Sequence, residues 1–184
     1  MLFLLTLQYN FARSDVVFNY YEDTDNFAFY FIRATPGVIY YCDNATDDIL
    51  VSYTHDDKIV SIDISRVSRS LQCHMFDTKK TIDGKLPLTL NHIYYEDSDI
   101  LKIYFTNYIL LMSTLQNNSV KTDIEDIEVE RDNMGRIVCI LFYNAKNKIV
   151  KPISEEERKK LAKICEEEAE EFDKKQYEIV KKYL

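Results

Sequence analysis

At 184 residues, 46% of them hydrophobic and 29% charged, the chain holds enough apolar side chain for one ordinary domain or two small ones. A net charge of −8 argues against nonspecific binding to a phosphate backbone, and three Gly with three Pro argue against a disordered, linker-rich protein. Fourteen Tyr and ten Phe with no Trp favour strands, where aromatic side chains pack on a pleated surface.

Residues 1–15 begin with Met1, Leu2, Phe3, Leu4 and Leu5, an apolar run too short to span a bilayer. It lacks a basic n-region and a small-residue cleavage site, so it reads as an N-terminal strand or leader and not as a signal peptide. Cys42, Cys73, Cys139 and Cys165 are scattered without a CxxC spacing, the usage of reduced thiols in a cytoplasmic protein. The sequons at Asn44 and Asn117 carry little weight without a secretory signal.

Residues 16–70 read as a β unit. A strand over 16–21 meets an acidic turn, Glu22, Asp23, Thr24, Asp25 and Asn26, whose side chains suit turn geometry. A second strand covers 27–32, and two more cover the stretches from Asp48 to Val51 and from Lys58 to Ile64. Residues 66–71 suit a helical turn, and residues 71–89 are a polar connection with an Asp83-Gly84 turn.

Residues 90–148 repeat this pattern. Tyr20-Tyr21-Glu22-Asp23-Thr24-Asp25 returns 74 positions later as Tyr94-Tyr95-Glu96-Asp97-Ser98-Asp99, and Asp48-Ile49-Leu50-Val51 returns 78 positions later as Asp126-Ile127-Glu128-Val129. Two collinear matches in one order indicate an internal duplication. The second copy fixes the phase of the first. Lys102, Glu128 and Glu130 turn to water, so Leu101, Ile103 and Phe105 point inward, and with them Phe27, Phe29 and Phe31. The same comparison puts Ile49, Val51, Ile127 and Val129 inside, together with Val60, Ile62, Ile64 and their counterparts Val138, Ile140 and Phe142. Gly135 supplies the positive φ of a tight hairpin, for which Asp57 is the poorer residue. The fold class is therefore mainly β (α+β): two duplicated antiparallel β-meander units forming a sandwich or a continuous sheet, plus one long C-terminal helix.

That helix is predicted over 154–184. Ser154 with Glu157 makes a capping box, and no Gly or Pro follows it. Ten acids and eight bases leave a thin stripe of Leu161, Ile164, Cys165, Phe172, Ile179, Val180 and Tyr183. Its first half, with Leu161, Ile164 and Phe172, is expected to dock, and the half from Lys174 to project.

The stretches from Tyr20 to Phe29 and from Tyr94 to Ile103, with the hairpins from Asp57 to Ile64 and from Gly135 to Phe142, resemble a family. It is the small bacterial domain of unknown function numbered 2283, whose motif runs Tyr-Asp-x-Glu-Ala-Asp-Ala-Leu-Tyr-Ile and whose hairpin ends Asp-Gly-x-Ile-Val-Gly-Ile-Glu-Ile-Leu. Tyr21 and Tyr95 replace the family's first Asp, and Ser61 and Cys139 its Gly. The resemblance implies two tandem copies of a β fold and transfers no activity.

The duplicated acidic turns are the one cluster that suggests chemistry. Asp23, Asp25, Asp97 and Asp99 are the candidate metal or acid/base residues, flanked by Glu22 and Glu96. No EF-hand ladder accompanies them, and turn capping explains the same side chains. His55, His74 and His92 are dispersed, and Cys73-His74 is one pair without a second at zinc spacing. No phosphate loop or nucleophilic triad is visible, so no catalytic residue, cofactor or metal is assigned. The reading is a noncatalytic binding or scaffold module, acting on a protein partner through sheet edges or the helix, with no nucleic acid and no membrane. The alternative is an enzyme or metal-binding protein using both acidic turns in a cleft between the copies.

Overall fold

The structure is a computed structural model that describes residues 3–4, 17–71, 73–74, 86–87, 91–105 and 118–181. The leader beyond Phe3 and Leu4, most of the 71–89 connection and the end of the chain after Lys181 lie outside the described residues.

In chain order the first unit holds β1 (Phe3–Leu4), β2 (Val17–Tyr21), β3 (Asn26–Tyr30), β4 (Tyr41–Thr46), β5 (Ile49–Tyr53), β6 (Ile59–Ile64) and the helical turn α1 (Val67–Ser70). A small parallel pair, β7 (Cys73–His74) and β8 (Leu86–Pro87), follows. The second unit holds β9 (Asn91–Tyr95), β10 (Ile100–Tyr104), β11 (Asn118–Lys121), β12 (Ile127–Arg131), β13 (Ile137–Phe142) and α2 (Ala145–Lys148). The long helix α3 (Glu155–Lys181) closes the described chain.

Both sheets are antiparallel, and they have the same strand order. The first runs β1-β2-β3-β6-β5-β4 and the second β11-β12-β13-β10-β9. β6 therefore inserts between β3 and β5, and β13 between β10 and β12, where a plain meander would keep chain order. The insertion puts the most apolar strand at the centre: β13 is buried at all six positions and β6 at five. The edge strand β4 escaped the sequence pattern because an edge need bury little. Four of the six residues of β4 are exposed, and their composition is polar.

The inner faces of the two sheets meet in one core. Phe29 lies 6.5 Å from Phe105 and 6.4 Å from Phe142, Phe27 lies 6.5 Å from Phe105, and Phe31 lies 5.5 Å from Phe142. Phe27, Phe29 and Phe31 are buried, as are Leu101, Ile103 and Phe105, so the phase taken from the second copy is correct. Fully burying one such ring is worth roughly 1.5–3 kcal/mol before entropy is charged against it.

One part of the phase needs correction. Ser52 pairs with Ser61 but Tyr53 pairs with Ile59, and Glu130 pairs with Cys139 but Arg131 with Ile137, so Val60 and Val138 are skipped. These are β-bulges, and an extra residue reverses the alternation beyond it. Ile59 and Ile137 take the inward places in the core. Val138 is buried, but in a second cluster with Tyr104, Cys139 and Leu141, on the other face of its sheet. Val60 stays in the main core.

Helix α3 starts where the capping box predicts, with the Glu157 N–H donating to Ser154 Oγ at 3.2 Å. Its first turns lie on the body. Arg158 is buried, donating through Nη1 to the Arg33 carbonyl and to Thr35 Oγ1. Gly37 has φ +78°, and a Cβ built there would sit 2.3 Å from the Leu161 carbonyl oxygen, so the helix backbone rests directly on glycine. Leu161, Ala162 and Cys165 are half-buried, and every residue from Glu166 to Ile179 is exposed. The expected docking of Ile164 and Phe172 does not occur; they are 41% and 61% exposed. Ile164 lies about 100° around the helix from Cys165. Phe172 shares the face of Cys165 but lies about 10 Å further along the axis, past the end of the docked segment. No described helix is long and apolar enough to cross a membrane.

Candidate functional site

Each acidic turn places one aspartate in the left-handed region, Asp25 at φ 52° and Asp99 at φ 53°. That conformation aims the residue at the helical turn that follows its own sheet. The Asp25 carbonyl accepts the Val67 N–H at 2.9 Å, and its carboxylate accepts the Ser68 N–H at 3.1 Å, the Ser68 hydroxyl at 2.6 Å and the Tyr20 hydroxyl at 3.2 Å. Asp99 repeats the pattern: its carbonyl accepts the Ala145 N–H at 3.1 Å, and its carboxylate accepts the Lys146 N–H at 3.0 Å and the Tyr94 hydroxyl at 2.9 Å. Each carboxylate thus satisfies free amides at the start of α1 or α2 from another part of the chain.

The remaining acids of the turns, Glu22, Asp23, Glu96 and Asp97, are exposed. The two turns also stand at opposite ends of the sandwich. Asp25 precedes Phe27, which pairs with Ile64 at one end of β6. Asp99 holds α2, and the chain leaving α2 bridges Ile149 to Ile59 at the other end of β6. The space between the sheets is filled by phenylalanine rings. Among the described residues no group of three His, Cys, Asp or Glu is placed to hold a metal ion.

A second pair of aspartates, Asp48 and Asp126, ties charged and polar side chains together. Asp48 accepts Thr46 Oγ1 at 2.7 Å, Ser70 Oγ at 2.9 Å and Arg131 Nη2 of the other unit at 2.7 Å. Its repeat mate Asp126 accepts Lys148 Nζ at 2.6 Å and Asn144 Nδ2 at 3.1 Å. Burial pushes both pKa values up, but these donors outweigh it and hold both carboxylates below the usual range. Asp63 has no such help, and burial raises its pKa despite the Ser61 hydroxyl. The available signal was positional: Asp48 and Asp126 stand at one site of the repeat, just before a buried strand.

Two open clefts flank this framework. One, of about 490 Å³, lies beside the Asp48–Arg131 bridge and is also lined by Arg66, Arg69 and Met134. The other, of about 430 Å³, lies between the β5–β6 hairpin and the start of α3, with His55, Lys58, Lys146 and Glu157 on its walls. None of Asp23, Asp25, Asp97 and Asp99 lines either cleft. His55 lies 4.7 Å from the Tyr40 ring, and burial lowers the pKa of His92 in the other unit. Cys42, Cys139 and Cys165 are free, and burial pushes the Cys139 thiol up, which leaves it protonated and inert at neutral pH. The side chains of the Cys73-His74 pair lie outside the described residues. No family model, no curated protein and no solved structure matches this chain.

Proposed function

We propose that the protein is a noncatalytic scaffold in which a rigid β-sandwich presents the outer half of α3 as a contact arm. The carrying observation is the abrupt change at Cys165. Three turns of the helix lie on the body, and from Glu166 to Ile179 the same helix is exposed on every side. A single helix held only by propensity and exposed ion pairs gains little from standing free in water. A partner helix or groove would cover its apolar stripe. The acidic turns support the same reading, because the carboxylates of Asp25 and Asp99 are engaged by backbone amides at opposite ends of the molecule.

The body itself we read as two tandem copies of one ancestral unit, of the kind numbered 2283, working in a reducing cytoplasmic setting. Shared strand order, the paired left-handed residues Asp25 with Asp99 and Arg66 with Asn144, and free thiols support this. Removing residues 166–184 tests the contact role. The shortened chain is expected to keep its melting temperature and β-sheet signal and to lose the partners that the full chain captures. A large drop in melting temperature would instead make the arm part of the core.

A further inference from the structure

The exposed half of α3 carries a more specific message than exposure alone. At roughly 100° per residue, Ala169, Phe172, Gln176 and Ile179 fall on the same line as the docked residues Arg158, Leu161 and Cys165. The face that buries itself on the body therefore continues beyond it without turning. Phe172 and Ile179 remain 61% and 49% exposed there.

The charges on this half are sorted by position. Residues 166–173 contain six acids and no base, whereas residues 174–181 contain three lysines and one acid, so the two segments carry −6 and +2. Ion pairs at i,i+4 link Lys163 to Glu167, Lys174 to Glu170 and Lys175 to Glu171, all on the exposed surface. Such pairs support the helix weakly and leave the segregation in place.

We infer that the outer half of α3 pairs with the same segment of a second copy, antiparallel, around the stripe of Phe172 and Ile179. This rests on the contact-arm reading above and adds the identity of the occupant. Parallel pairing would stack the −6 segments on each other. Antiparallel pairing sets each acidic segment against the lysine segment of the other copy, the kind of charge matching that fixes helix orientation. Centred near Lys174, it also brings the small Ala169 of one copy opposite the large Ile179 of the other. The two sandwiches then sit at opposite ends of the pair, clear of each other. A seam of about four turns containing Gln176 from each copy near its centre makes a weak, reversible dimer.

Sedimentation velocity on the full chain, from about 10 µM to about 500 µM, decides it. The expected result is a monomer–dimer equilibrium in that range. Phe172→Glu with Ile179→Glu should weaken it at least about tenfold while leaving the melting temperature unchanged, because both side chains are exposed. Raising the salt to about 1 M should weaken the dimer severalfold, since it screens attraction between opposite segments. A monomer at every concentration would overturn the pairing, and so would a dimer indifferent to the two glutamates. Association that strengthens with salt would overturn the antiparallel orientation, because only like charges facing each other gain from screening. The contact-arm reading is judged separately, by the stability of the chain lacking residues 166–184.

Discussion

The sandwich and the outer half of α3 are built by opposite means. In the sandwich the phenylalanines of one sheet meet those of the other, and Phe29, against Phe105 and Phe142, has no exposed surface. In the outer helix, propensity, a capped start and exposed ion pairs maintain the structure, and Phe172 points into water. The difference teaches that secondary structure and burial are coded separately. A helix can be specified strongly by its own residues while its packing partner lies outside the chain.

Changing the same residue type in both regions exposes the contrast most sharply. Phe29→Ala should cost about 3–5 kcal/mol through lost burial and a cavity, whereas Phe172→Ala should stay within about 0.5 kcal/mol of wild type. Denaturant titration of both variants measures it, and similar losses would erase the distinction.

The boundary between the regions can be broken next. Gly37→Val combines a strained left-handed residue with a clash against the Leu161 backbone, so the first turns of α3 should lift off. A loss of about 2 kcal/mol is expected, accompanied by protease sensitivity near Arg158. An unchanged digestion pattern would show that the helix is held elsewhere.

The capping aspartates come third. Asp25→Ala and Asp99→Ala should each cost about 0.5–2 kcal/mol, and equally within error, because each removes the same amide acceptor from an equivalent turn. Added Ca²⁺ or Mg²⁺ should leave the melting temperature of the wild type where it is, and a metal-dependent rise abolished by Asp23→Asn with Asp97→Asn would restore the metal reading.

The acid limb of stability is the smallest effect. Asp48 and Asp126 have depressed folded pKa values, so their contribution is complete above the ordinary carboxylate range, about pH 4, and is lost as pH falls through the folded values. Asp48→Asn should therefore be less stable than wild type at pH 7 and converge with it in strong acid. Asp63 runs the other way: its raised pKa means the charged form opposes folding, so Asp63→Asn should stabilise at pH 7.

Much of this was legible in the residues because duplication supplied an internal control. The all-apolar run at Phe27 to Ile32 could not state its own phase, but Lys102 in the second copy could. The same comparison failed at Val138, since a bulge depends on how two strands pair and leaves no mark in either alone. Strand order was equally hidden. The edge strand at Tyr41 buries little and so shows no alternation. At the candidate site, the sequence displayed carboxylates but not their acceptor geometry. Asp25 and Asp99 drew notice for clustering with other acids, while Asp48, with three donors around it, stood in an ordinary strand entrance.

The claim on which the account turns is that α3 changes role at Cys165. Amide hydrogen exchange on a dilute sample, below the concentration at which copies pair, reads this residue by residue. Amides from Arg158 to Cys165 should be protected to a level approaching that of the sandwich strands, and those from Glu168 to Ile179 should exchange at rates close to those of an isolated helix. Uniform, core-like protection as far as Ile179 in the monomer would contradict it.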